Sequence, residues 1–294
     1  MKIIAPSVKL WEQTDDKISH VARCARVCYG KEKGNDNILY ENLKNRKHWS
    51  MFRHETWYAA VPVSYHDGII FNIIDQYYSS PYIKYFTYKD VVYIITNGNF
   101  MLDIEQANPV LCSIIKTHSI SAEEAVQIEY IWKHFARYTF YIVTQISTSR
   151  ELNRVSPNNI AEQSTRYVYE QGIICRPHWL EGYNIYQELH GAYRIYKNGK
   201  EDDDINRKVA VYINQCDSAF NTYKYLVDAG LHRQDARGVL PFDTATKCVY
   251  TYSIDEWRAI IDLRYYGITG KPHQNAKLIA DMIREQLIGL GYDI

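Results

Sequence analysis

The stretch Arg150-Glu151-Leu152-Asn153-Arg154-Val155-Ser156-Pro157, followed by Glu162-Gln163-Ser164-Thr165-Arg166-Tyr167, concentrates more fixed positive charge and hydrogen-bonding capacity than any other part of the chain. Arg150 and Arg154 lie four residues apart, so on a helix both guanidinium groups leave one face and can converge on one anion. Thr148 and Glu151 have capping-box spacing, which would start a short helix at Ser149, and Pro157 biases Ser156 toward extended geometry and ends it. The local pattern is a strand, a one-turn helix and a polar loop. Two readings stay open on these residues alone. The arginines either gather around a small phosphorylated ligand or pair with Glu151, Glu162 and Glu170 as an exposed salt-bridge lattice.

The run Glu162 to Tyr167, with Arg154 ten residues ahead of Ser164, resembles the signature of the flavin-dependent thymidylate synthases. That family has an Arg-His-Arg triplet upstream of a Ser-x-Arg-Tyr ending. Here the triplet reads Arg154-Val155-Ser156, keeping its first member and its spacing and losing the His and the second Arg. Other segments resemble the family in the same order. Asn45 to Thr56 has matching histidines at His48 and His54 and a hydroxyl at Ser50, with Arg53 where the family usually has glutamate. Leu226 to Gly230 and Asp235 to Pro241 resemble a helix end and an Ala-Arg-x-x-Leu-Pro motif. Trp257 to Arg264 resembles a helix ending in Leu-Arg, followed by His273 at a position often held by His or Gln.

Composition agrees with a folded enzyme. The chain has 294 residues and 46% apolar content, enough to bury a sizeable core as one domain with an insertion at about 66–135. Its 34 basic and 34 acidic residues cancel, which removes any bulk drive toward nucleic acid or an anionic membrane. An anion must therefore be caught by local arginines. The N-terminal run Met1 to Pro6 lacks a signal-peptide core and no apolar run is long enough to span a bilayer, so a cytoplasmic protein is expected. The cysteines Cys24, Cys28, Cys112, Cys175, Cys216 and Cys248 form no C-x-x-C pair and read as buried thiols, neither metal ligands nor nucleophiles. The 27 tyrosines are read as core and subunit-contact area.

Hydrophobic spacing predicts helices over 14–28 (stopping at Gly30), 37–46 and 68–78, and over 205–229, where Gly230 closes it, and 274–288. Strands are expected at 55–63, at Tyr138 to Thr144 and at Thr244 to Tyr252. Tyr93 to Asn97 reads as a strand edge or the start of a helix. Ser121 with Glu124, and Ser253 with Glu256, have capping-box spacing. Trp257, Ile260, Ile261 and Arg264 share a helix face, where the arginine needs a carboxylate or a ligand. The segment 66–135 reads as mostly helical, and Glu201-Asp202-Asp203-Asp204 as a solvated acidic turn without the features of a calcium loop.

What the resemblance implies is an α+β fold with a mixed or antiparallel sheet flanked by long helices and a helical insertion. It implies reductive methylation of dUMP at C5, with methylenetetrahydrofolate as carbon donor, FAD as hydride carrier and NADPH as reductant. It places Glu151, Arg154, Glu162, Gln163, Ser164, Arg166, Arg237 and Arg264 around the nucleotide, Arg264 as the catalytic group, and Ser50, His54, Arg154 and Glu162 on the cofactor. No metal, nucleic acid or membrane is implied. Homotetramers with shared sites are. Glu151 falls where the family commonly has glutamine, which leaves open a related pyrimidine nucleotide or a different one-carbon unit. A non-catalytic nucleotide- or RNA-binding protein is the alternative from another class.

Overall fold

Alternating apolar and β-branched residues make Arg137–Gln145 and Ala245–Ser253 the two long inner strands of an antiparallel sheet, paired from Ala245↔Gln145 to Ser253↔Arg137. Ser7–Trp11 and Ile160–Glu162 complete it on either side. One face carries Phe140, Ile142, Cys248, Tyr250 and Tyr252 against Trp257, Ile260 and Ile279 of the C-terminal helices Ile254–Ile261 and Gln274–Gly289. The other carries Tyr141 and Val249 against the helix Lys17–Tyr29. The computed structural model describes residues 1–12, 16–65, 69–153, 157–187, 193–197, 199–201 and 203–294. Arg154, Val155 and Ser156 of the sequence motif, and Asp202 of the acidic run, lie outside them. Among the described residues no helix is long and apolar enough to cross a membrane.

A second antiparallel sheet runs in the order Ile83–Tyr88, Val91–Asn97, Thr56–Pro62 and Ser119–Ile120. The segment 66–135, expected to be mostly helical, therefore holds helices (Ile69–Ile74, Gly98–Ala107, Pro109–Thr117 and Ala122–Val126) together with three strands. Its hairpin turns on Lys89 and Asp90, both at positive φ (48° and 58°). That is the backbone of a two-residue primed turn, made without the Asn-Gly or Asp-Gly pair that announces one.

Glu55, just ahead of the strand Thr56–Pro62, is buried and accepts hydrogen bonds from Trp57 Nε1 (2.7 Å) and the Tyr40 hydroxyl (3.2 Å). Gly98, at the start of the helix Gly98–Ala107, lets this carboxylate lie close. A Cβ at 98 would stand 2.4 Å from Glu55 Oε2.

Two expectations on the motif's surroundings need correction. The arginine helix is Ile146–Leu152, starting three residues before Ser149. Strand Arg137–Gln145 leads into it without a break, with Ile146 and Ser147 N–H donating to Thr244 and Phe242 carbonyls, and the Thr148 hydroxyl donates to Gln145 Oε1 (2.7 Å) instead of capping. The acidic run is not a turn throughout. Glu201 ends the strand Lys200–Glu201 and Asp203 begins the helix Asp203–Asp228.

After Ile160–Glu162 the chain becomes a strap from 163 to 171. Gln163 N–H donates to Lys247 O (2.8 Å) and Ser164 N–H to Cys28 O (3.0 Å). Beneath the strap is a cavity of ≈ 180 Å³ lined by Val143, Gln163, Tyr169, Glu170, Ala245 and Lys247, among others. Burial pushes the Glu170 carboxyl up to about 7, only partly offset by a hydrogen bond from Gln163.

Two consequences can be measured. Gly98→Ala is expected to cost about 1–3 kcal/mol in urea unfolding, and combining it with Glu55→Ala to cost less than the two single losses summed. Glu170 holds its proton more tightly folded than unfolded, so its contribution to stability is full below the unfolded carboxyl range and is lost as pH rises through about 7. Glu170→Gln is expected to gain on wild type by on the order of 3 kcal/mol between pH 4 and pH 8. A pH-independent difference in unfolding free energy would contradict it.

Candidate active site

The strap and the segment after the long helix are held together by arginines. Arg237 Nη1 donates to the Thr165 hydroxyl (3.0 Å) and its Nε to Gln234 O (3.1 Å). Arg166 Nη2 donates to Gln234 Oε1 (3.4 Å), and Arg233 Nη1 to Tyr167 O (2.7 Å). All three side chains belong to exposed residues, and among the described residues no carboxylate lies within 4 Å of them. The Ser164 hydroxyl accepts from Arg166 N–H (3.3 Å), tying this serine to the same turn. The salt-bridge lattice therefore does not account for Arg166 or Arg237. Arg233 was not anticipated, although it stands four residues before Arg237, the spacing that singled out Arg150 and Arg154.

Arg264 lies in the wide five-residue turn Asp262–Tyr266 that follows the helix Ile254–Ile261. Such π-type turns are uncommon inside helices and frequent at functional sites. Gly267 closes the turn at φ 72°, and a Cβ there would meet Gly270 O and Pro272 at 2.7 Å. The Arg264 guanidinium is 3.5 Å from the Glu151 carboxylate, with 13% and 29% of the two side chains exposed. The arginine on the apolar face thus meets a carboxylate.

Glu162 links the two groups. It accepts from the Ser149 hydroxyl (2.8 Å) on the helix that carries Glu151, and from the Thr246 hydroxyl (3.1 Å), and its chain continues directly into Ser164. Burial raises its pKa, while the two hydroxyls and the charge of exposed Arg150 pull the other way. Gln163 faces away from this cluster, its amide engaging Glu170 over the cavity. Successive residues of an extended segment point to opposite faces, which puts Gln163 and Glu162 on different sides.

The residues expected to touch a flavin lie in different surroundings. Ser50 is exposed on the 3₁₀ helix Trp49–His54. His54, by contrast, is 0% exposed and bonds through Nδ1 to the Thr251 hydroxyl (2.8 Å). Thr251 in turn meets Thr139 (2.8 Å), which meets His20 Nε2 (3.2 Å). Burial lowers His54 to about 3 and His20 to about 4, so both rings are neutral inside the sheet–helix interface. This conformation gives His54 no surface for a cofactor. Glu162 is committed to Ser149 and Thr246, and Val155 and Ser156 lack the charge of the motif. All six cysteines are buried or half-buried. Burial raises the thiols of Cys24, Cys28, Cys175, Cys216 and Cys248, favouring the unreactive protonated form.

Among solved structures, the fold aligns with two crystal structures of a UMP/dUMP methylase, PolB from Streptomyces cacaoi, bound with 5-Br dUMP and with 5-Br UMP. The TM-score is 0.47 in both, over 99% of this chain and 93% and 92% of theirs, at 16% and 17% identity. No curated protein matches the sequence. The pattern of the family described as thymidylate synthase complementing protein matches residues 126–289. That match covers more than half of the chain and contains Glu151, Glu162, Ser164, Arg166, Arg237 and Arg264. The chain therefore belongs to the thymidylate synthase complementing protein family, that of the flavin-dependent thymidylate synthases.

Proposed function

We propose that this protein methylates a pyrimidine nucleoside monophosphate at C5, with dUMP as substrate, methylenetetrahydrofolate as carbon donor and NADPH as reductant. The observation that carries this reading is the meeting of Arg166 on the strap with Arg233 and Arg237 on the segment after the long helix, all exposed and without a carboxylate partner among the described residues. Guanidinium groups with free edges suit the dianionic phosphate of a nucleotide, which they bind by charge-assisted hydrogen bonds. Overall neutrality makes such a local cluster the means of capture.

In this reading Arg166 and Arg237 hold the phosphate beside Ser164. Arg264, kept in place by Glu151, lies against the uracil ring and stabilises negative charge as the ring is polarised and C5 becomes nucleophilic. The C5–H bond is replaced by a C–C bond to the folate's methylene carbon, whose C–N bonds break so that tetrahydrofolate leaves, and the displaced C5 proton goes to solvent or a protein base. A bound flavin, the carrier the family implies, would once reduced by NADPH supply the hydride that completes the methyl group. The protein's part is to hold nucleotide and carbon donor in register and to exclude water. The two arginine groups sit on different elements, which suits a pocket completed by neighbouring copies in a homotetramer. Arg154 belongs to the proposed nucleotide and cofactor contacts on sequence grounds.

A second reading follows from the Glu151–Arg264 pair. A carboxylate only accepts hydrogen bonds, whereas the glutamine common in the family also donates. This difference favours a related pyrimidine nucleotide as an alternative substrate.

Release of tritium from C5-labelled dUMP, with folate and NADPH supplied, tests the reaction directly. Arg264→Ala is expected to abolish release while leaving the fold intact, and near-normal release would remove its assigned role. Arg166→Ala is expected to weaken dUMP binding about tenfold by calorimetry, the size of one charge-assisted hydrogen bond. Unchanged affinity would return that arginine to the surface.

A further inference from the structure

Two departures from the family pattern concern arginine. The second Arg of the triplet is replaced by Ser156, and the glutamate usual in the N-terminal motif is replaced by Arg53. A positive charge is lost at one position and gained at the other, 103 residues away in sequence.

The fold brings position 53 to the motif loop. Arg53 Nη1 donates to Asn158 O (3.0 Å), one residue after Pro157. The 3₁₀ helix Trp49–His54 repeats every three residues, so Ser50 and Arg53 stand on one edge while Phe52 and His54 are buried on the other side. The helix end is fixed from behind, where Arg137 Nη2 donates to the Arg53 carbonyl (2.8 Å). The Arg53 guanidinium lies 5.0 Å from the Tyr82 ring, and its Nε is buried without an acceptor among the described residues. Asp103 feels the charge of Arg53, but its carboxylate accepts from Asn99 Nδ2 (3.0 Å) and lies beyond 4 Å from the guanidinium. Arg53 is half-exposed. A guanidinium that is partly desolvated, aromatic-backed and short of acceptors is built for an anion.

We propose that Arg53 supplies a guanidinium to the phosphate-bearing part of the flavin cofactor, which the Ser50–Arg53 edge contacts together with the described loop after Pro157. This rests on the flavin-dependent reading above. It also explains how a chain with a broken triplet and a buried His54 retains a cofactor contact. The exchange removes the family's acidic group from the same edge, so the local charge changes by two in the direction a diphosphate requires.

The test compares FAD with riboflavin, which carries no phosphate, by flavin fluorescence titration of the full chain, with dUMP binding measured in parallel. Arg53→Gln is expected to weaken FAD binding about tenfold or more, with riboflavin and dUMP affinities within about twofold of wild type. Unchanged FAD binding, equal losses for FAD and riboflavin as for a merely structural tether, or a loss confined to dUMP would each overturn the proposal. Wild-type protein that binds neither flavin would instead refute the flavin-dependent reading itself and this assignment with it.

Discussion

The nine-residue ladder between Arg137–Gln145 and Ala245–Ser253 is the constraint on which the rest of the molecule depends. Because side chains alternate along a strand, this one register sends Cys248 and Tyr250 toward the C-terminal helices and Val249 and Thr251 toward the N-terminal one. It also places the Glu151–Arg264 pair. The first strand runs without interruption into the helix of Glu151, and the second is followed at once by the capped helix that leads to the Arg264 turn. A slip of one residue would turn both faces over and separate Glu162 from Ser149 and Thr246.

Glu162 shows how a buried acid is made tolerable. Two hydroxyl donors occupy it, and Arg150 stands close enough to be felt without forming an ion pair. Removing either hydroxyl would leave a desolvated carboxyl under-bonded, a larger penalty than the hydrogen bond's own net worth. Glu170, with one side-chain donor in a partly apolar cavity, is the opposite case and keeps its proton to about pH 7. These two acids, eight residues apart in sequence on one continuous segment, experience opposite faces of the same sheet.

Much of this architecture is legible in the chain. The paired strands announce themselves through Phe140, Ile142, Val249 and Tyr250, and the two capping boxes at Ser121 and Ser253 form with both reciprocal bonds. What is not legible has physical causes. The hairpin of the second sheet turns on Lys89-Asp90, residues whose positive φ is imposed by the strands rather than by glycine. Thr148 and Glu151 carry a correct capping spacing in a segment whose start is already set by the sheet hydrogen bonds at Thr244 and Phe242. For the site, the arginines at 166, 237 and 264 were visible as residue types, but the partner of each was not. Nothing in the spacing distinguishes His54 facing a ligand from His54 buried against Thr251, because that outcome depends on a strand 197 residues away in sequence.

The same distance dependence explains why the broken triplet is an ambiguous signal by itself. Read along the chain, Val155 and Ser156 look like the loss of a cofactor site. In three dimensions the edge of the 3₁₀ helix approaches Asn158 and carries a guanidinium where the family has a carboxylate. A binding site is a set of groups at positions in space, and a charge can move between remote segments provided the fold holds them together. Here Arg137 holds position 53 against the central strand, its guanidinium donating to the Arg53 carbonyl and to Thr251 O (3.4 Å). The ladder that organises the core therefore also sets the position of Arg53.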